Sequence, residues 1–234
     1  MQSKIERYRF TVEPFHVDFT GHLFLGVLGN HLLNAAGRHS HNRGWGIDQL
    51  NEVQYTWVLS RLSIELTEMP AQYEHVEVET WVESVMKLFT ERNFLIRNAD
   101  DGHILNYVIP AEEKPCPIAK FGRTVRFSNE PYRAIPTYYS DVDINGHINS
   151  VKYIEHILDL FPREQFEHNF IHRFDIAYKT ESYLGDTLTF FTEEVPEEGC
   201  ATASTHVEIR KHVGVAEKPA GEVVVQAKVQ FKNT

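Results

Sequence analysis

Ser140-Asp141-Val142-Asp143-Ile144-Asn145-Gly146-His147-Ile148-Asn149-Ser150-Val151-Lys152-Tyr153 packs two carboxylates, two amides, a glycine and a histidine into what reads as one turn. Directly after it, Val151, Ile154, Ile157, Leu158 and Phe161 recur at three-and-four spacing, which predicts an amphipathic helix. The polar cluster therefore sits at a helix N-terminus, where free backbone N–H groups and the positive end of the helix dipole converge. That setting suits a carbonyl oxygen that becomes negative during a reaction. Aspartate, asparagine and glycine are each ordinary turn and capping residues. Their combination with His147 is what marks the stretch as reactive.

The elements that must position this cluster are legible from an internal repeat. Val17-Asp18-Phe19-Thr20-Gly21-His22-Leu23 and Val142-Asp143-Ile144-Asn145-Gly146-His147-Ile148 superpose at a constant offset of 125, and the register continues through His31 and His156. Each copy opens a helical pattern, with Leu25, Leu28, Leu32 and Leu33 in the first, and each then turns strand-rich. Apolar and polar residues alternate over 55–66, 75–82 and 87–96 in the first half, and over 171–178, 187–193, 201–210 and 222–231 in the second. A helix followed by an antiparallel sheet that wraps it, repeated twice, gives an α+β fold. The expected division is an N-terminal domain over 1–113, a linker over 114–136 punctuated by Pro115, Pro117, Pro131 and Pro136, and a C-terminal domain over 137–234.

Farther along, Arg61-Leu62-Ser63-Ile64-Glu65-Leu66-Thr67-Glu68-Met69 matches Arg173-Phe174-Asp175-Ile176-Ala177-Tyr178-Lys179-Thr180-Glu181. Met69 thus stands where Glu181 stands, and Thr20 where Asn145 stands. The first half keeps the turn but lacks two reactive groups, so chemistry is assigned to the second.

Composition narrows the class. A net charge of -10, from 33 acidic and 23 basic residues, disfavours nucleic acid or an anionic membrane as the partner. Lys120, Arg123 and Arg126, and separately Arg210, Lys211 and Lys218, are the candidates for a local basic patch. No apolar run has membrane-helix length and the first ten residues do not read as a signal peptide, so a cytoplasmic protein is expected. Cys116 and Cys200 form no C-x-x-C pair, and His39 and His41 have no carboxylate or cysteine at ligand spacing; neither a disulfide nor a metal or other cofactor is expected. Both histidines read as solvated or capping. Trp45, Trp57 and Trp81 read as core.

Asp141 to Ile154 as a whole resembles the signature of acyl-acyl carrier protein thioesterases, a family built from two tandem hotdog domains. The likeness extends through 15–46, Thr56-Trp57-Val58-Leu59-Ser60-Arg61 and Val78-Glu79-Thr80-Trp81-Val82, and Tyr178-Lys179-Thr180-Glu181-Ser182 resembles the family's carboxylate segment, with Ser182 where plant members commonly carry cysteine. The resemblance implies a catalytic set of Asp143, Asn145, His147 and Glu181, with substrate contacts from Gly146, Asn149, Tyr153 and Ser182, and a bacterial member. One departure stands out: after Gly102 only residues 103–112 precede Glu113, where the family carries a further strand and a linker.

Thioester hydrolysis needs an activated water, a donor for the oxyanion and a means of holding the acyl group in line. Glu181, partly desolvated, is the expected general base, Asn145 a water or carbonyl partner, and Gly146 with the helix-start amides the oxyanion contact. His147 polarises water, shares a proton with Glu181 or protonates the leaving thiolate, and Asp143 orients Asn145 or His147, with nucleophilic attack by its carboxylate to form an anhydride as the alternative. The expected partner is acyl carrier protein as the acyl-thioester substrate, with a homodimer as the self-association considered. Competing readings are an acyl-CoA thioesterase, a hotdog hydroxyacyl-thioester dehydratase and a non-catalytic acyl-thioester binding module.

Overall fold

A computed structural model describes residues 3–87, 89–105, 125, 127, 130–196, 203–213 and 221–233. In chain order the elements are β1 (Glu6–Thr11), α1 (Leu25–His41), α2 (Ile47–Asn51), β2 (Arg61–Glu65), β3 (His75–Val85), β4 (Thr90–Asn98), β5 (Arg133–Pro136), α3 (Ser150–Leu158), α4 (Arg163–His168), β6 (Asn169–Tyr178), β7 (Asp186–Val195), β8 (Ser204–Val213) and β9 (Glu222–Asn233). They fall into two compact units, Met1–Val58 with Glu65–Ala119, and Leu59–Ile64 with Lys120–Thr234.

The first unit carries a three-stranded antiparallel sheet in the order β1-β3-β4. Its helix α1 buries Leu25, Leu28, Leu32 and Ala35 on one stripe, the residues that the three-and-four spacing selects. Arg38, His39 and His41 occupy its last turn, where positive charge meets the helix dipole's negative end. Beyond Gly102 the chain folds back on β4, with the Leu105 N–H donating to the Ile96 carbonyl at 3.0 Å. The departure noted after Gly102 thus begins with an antiparallel turn, and its continuation lies outside the described residues, as do Cys116, Cys200, Lys120, Arg123, Arg126 and Lys218.

On α1, His31 stacks flat on Phe10 with ring centroids 3.6 Å apart, and His16 meets it edge-on. Burial, with positive His16 and Arg38 nearby, pulls its pKa from 6.5 to about 4. Between those two values the unfolded chain takes up a proton that the folded ring refuses, so stability falls as pH is lowered through that window. Thermal melts at stepped pH are expected to show this slope, and His31→Leu to flatten it.

The second unit's sheet has six strands in the order β2-β6-β9-β8-β7-β5. In β9 buried residues alternate with half-buried ones, Val225, Ala227, Val229 and Phe231 facing inward, whereas β6 and β7 each carry a run of four buried residues. The nine-residue α3 buries Val151, Tyr153, Ile154, Ile157 and Leu158, and its rings meet the strands through Tyr153 on Tyr178 and His156 on Phe190.

Several sequence expectations need correction. The strand expected over 55–66 shortens to Arg61–Glu65. Gln54 takes a left-handed φ of 62° and the Tyr55 N–H bonds back to Leu50, so the segment before Leu59 is a loop with exposed aromatics. Trp81 is core, whereas Trp45 and Trp57 are exposed and joined by a 2.7 Å bond from the Trp57 indole to the Trp45 carbonyl. His39 is buried rather than solvated, its Nε2 3.1 Å from the Lys4 carbonyl, and His41 lies 3.1 Å from Asp48. Among the described residues no group of three or more His, Cys, Asp or Glu side chains could hold a metal ion.

Candidate active site

The reactive turn is built by Asp143. Its Oδ1 accepts the Asn145 N–H at 2.8 Å and the His147 N–H at 3.2 Å, and its own N–H donates to the His147 carbonyl at 2.8 Å. Gly146 sits at φ 82°, a left-handed conformation that glycine adopts without steric cost. The chain then enters α3 through Asn149, whose side chain accepts the Val151 N–H at 2.9 Å and caps the helix. Behind the turn, the buried Asp141 accepts the Tyr138 N–H at 2.7 Å and faces His156 Nε2 at 3.5 Å.

Glu181 is delivered by the end of β6. The Lys179 N–H and the Thr180 hydroxyl donate to the Val224 and Val223 carbonyls, prolonging the strand along β9. The next residues pair with the turn: the Ile148 N–H donates to the Ser182 carbonyl at 2.8 Å, and His147 bridges Tyr183 in antiparallel fashion. This sets Glu181 Oε2 at 3.4 Å from His147 Nε2, with the two side chains 46% and 29% exposed. A histidine and a carboxylate that solvent can reach thus face one another at a helix start. The arrangement presents to a water beside it both an acceptor and a ring nitrogen that donates or accepts according to its tautomer.

The first unit repeats the turn with Thr20 in place of Asn145 and Met69 in place of Glu181. Asp18 Oδ1 accepts the Thr20 N–H at 2.8 Å and the Thr20 hydroxyl at 2.6 Å, and Gly21 sits at φ 80°. The Leu23 N–H donates to the Pro70 carbonyl and His22 bridges Ala71, as Ile148 and His147 do with Ser182 and Tyr183. Backbone register therefore aligns Met69 with Glu181 independently of side-chain identity.

The remaining site expectations divide. Asn145 lies at the exposed corner of the turn, and its side-chain amide has no hydrogen-bond partner among the described residues. The Gly146 N–H is committed to the Asp143 carbonyl at 3.1 Å, so it is not a free oxyanion donor as expected. Asn149 is a helix cap. Tyr153 and Ser182, expected to touch substrate, are instead 3% and 1% exposed inside the second unit. Burial pushes the Tyr153 phenol up to about 12, against a smaller pull from the Ser182 hydroxyl. The Glu181 side chain, expected to be partly desolvated, is about half exposed.

The candidate basic patch on β8 is also redrawn. Arg210 is held by Glu208 at 2.7 Å and lies 4.1 Å over the Phe191 ring. Lys211 donates to the Glu181 carbonyl at 2.6 Å and pairs with Glu222 at 3.2 Å. Both cations are thus paired within the second unit. Sequence reasoning missed Lys211 and Tyr183 as neighbours of Glu181; for Tyr183 the repeat held the signal, since reading two positions past Glu181 sets it against Ala71.

Residues 4–109 match the acyl-ACP thioesterase N-terminal domain family and residues 127–233 the acyl-ACP thioesterase C-terminal domain family. The chain belongs to the acyl-ACP thioesterase family. A solved acyl-ACP thioesterase from Bacteroides thetaiotaomicron VPI-5482 is 48% identical to it, with a TM-score of 0.86 over 98% of each chain. The 12:0-ACP thioesterase from Umbellularia californica shares the fold at 18% identity and a TM-score of 0.81, over 98% of this chain and 94% of that one. Among curated relatives, the chloroplastic oleoyl-acyl carrier protein thioesterase 2 of Arabidopsis thaliana is 22% identical, covering 81% of this chain and 63% of its own. The chloroplastic dodecanoyl-[acyl-carrier-protein] hydrolase of Cinnamomum camphora is 24% identical, covering 80% of this chain and 58% of its own. The chain therefore spans less than two thirds of the length of these two curated relatives. The α+β fold of this acyl-ACP thioesterase family member is the tandem hotdog that the sequence led one to expect.

Proposed function

We propose that this chain hydrolyses fatty acyl-acyl carrier protein thioesters to free fatty acid and carrier thiol. The observation that carries the reading is the 3.4 Å approach of Glu181 Oε2 to His147 Nε2 in the second unit, set against Met69 at the matching position of the first. Glu181 removes a proton from a water lying beside the pair, within reach of both side chains, and the water oxygen bonds to the thioester carbonyl carbon. The exposed Asn145 amide donates to the carbonyl oxygen as it becomes negative. The carbon–sulfur bond then breaks, and the proton taken by Glu181 passes through His147 to the thiolate. Asp143 holds the turn through two backbone N–H groups and so orients Asn145 and His147.

In this reading the half over 137–234 is catalytic, and the half over 1–113 is scaffold and acyl-chain pocket, since its turn keeps Asp18, Gly21 and His22 but carries Thr20. No helix among the described residues is long and apolar enough to cross a membrane. A cytoplasmic site of action goes with a protein-borne substrate of this kind. The test is to incubate the purified chain with acyl-acyl carrier protein and with acyl-CoA while following free thiol. Release from the carrier protein thioester, at a higher kcat/KM than from acyl-CoA, is the expected result. No thiol release from either substrate would overturn the proposal.

A further inference from the structure

We infer that Tyr183 and Lys211 form a clamp that positions the Glu181 carboxylate, the Tyr183 hydroxyl holding the side chain and the Lys211 ammonium holding the peptide. The inference rests on Glu181 acting as the base, as proposed above. Tyr183 Oη donates to Glu181 Oε2 at 3.2 Å, and that same oxygen faces His147 Nε2 at 3.4 Å. The Tyr183 ring meets the His147 ring edge-on, with centroids 5.1 Å apart and planes at 87°, so one side chain touches both reactive groups. On the other side, Lys211 Nζ donates to the Glu181 carbonyl at 2.6 Å and lies 5.9 Å from the centre of the Tyr183 ring. Glu222, 3.2 Å from Lys211, completes the charged surroundings.

A half-exposed glutamate has several torsions to fix, and ordering them costs conformational entropy. The clamp reduces that cost at the base. Its bond to Glu181 raises the Tyr183 pKa, which keeps the proton on the phenol and the phenol a donor.

The repeat supplies an independent argument. Tyr183 aligns with Ala71, as their bridges to His147 and His22 show. Lys211 faces Leu188 across β7 and β8, and Asn98 faces Val76 across β3 and β4, so Lys211 aligns with Asn98. The unit with Met69 in place of the glutamate thus has neither member of the clamp, although it keeps the aspartate, the glycine and the histidine of the turn. Both supports accompany the carboxylate they would hold.

Steady-state kinetics of Tyr183→Phe test the idea. Loss of one hydrogen bond to a charged group is expected to lower kcat about tenfold with KM within about twofold. A donor to the carboxylate favours its charged form, so its removal moves the acidic limb of the kcat–pH profile to higher pH. A merely structural tyrosine would leave that limb in place. Lys211→Met is expected to lower kcat without removing the donor, and Lys211→Arg to restore it. Parental kcat with an unmoved acidic limb in Tyr183→Phe, or parental kcat in Lys211→Met, would overturn the clamp. A Glu181→Gln control separates the two levels: if it is inactive while both clamp variants are fully active, only the clamp falls, whereas if it is fully active the assignment of the base falls too.

Discussion

Replacing Glu181 by glutamine is expected to lower thioester turnover by about a hundred to ten-thousandfold, the range typical for loss of an acid–base group. Glutamine keeps the length and shape of the side chain and can still accept from Tyr183, but it cannot take a proton from water. The fold should be untouched, because the support of this segment comes from backbone: the Lys179 N–H on Val224, the Ile148 N–H on Ser182 and the Lys211 ammonium on the Glu181 carbonyl. Circular dichroism and the melting temperature should therefore match the parent while free-thiol release collapses. Turnover within about threefold of the parent would remove Glu181 from the mechanism.

The two turns offer a second large effect, and one with an internal control. Asp143 and Asp18 do the same structural work, each accepting a backbone N–H at 2.8 Å and one further hydrogen bond. Asp143→Ala and Asp18→Ala should each destabilise the protein by about 1.5–3 kcal/mol, the scale of hydrogen bonds to a charged group. Their effects on turnover should diverge. Freeing the turn that aims Asn145 and His147 is expected to cost about a hundredfold or more, as is Asn145→Ala, while Asp18→Ala should stay within about fivefold of the parent. Equal losses of activity at the two aspartates would show that the halves share the chemistry.

The site was legible where the repeat could be checked against itself. The offset of 125 located the turn, and matching Arg61–Met69 to Arg173–Glu181 located the carboxylate and its missing counterpart. Backbone hydrogen bonds then follow the same register, because a glycine in the left-handed region and an aspartate two residues before the amide define such a turn whatever surrounds it. The burial of Tyr153 and Ser182 was not legible, for a different reason. Neighbours of a reactive residue on a strand or helix alternate between faces, and sequence proximity to Glu181 or His147 does not reveal which face is interior. Trp45 and Trp57 show the same limit for aromatics, which serve core and surface alike. For β2 the strand was legible but not its sheet, since alternation identifies a strand without naming the sheet it joins.

That last strand has an implication for how the chain can be divided. Residues 59–64 complete one edge of the six-stranded sheet, the Tyr178 N–H donating to the Ser60 carbonyl at 2.9 Å. A fragment cut at the apparent midpoint would carry the reactive turn but leave β6 with a bare row of unpaired amides and carbonyls, an invitation to self-association. The duplicated halves are thus no longer separable cassettes: a stretch from the first half of the sequence hems the sheet of the second unit.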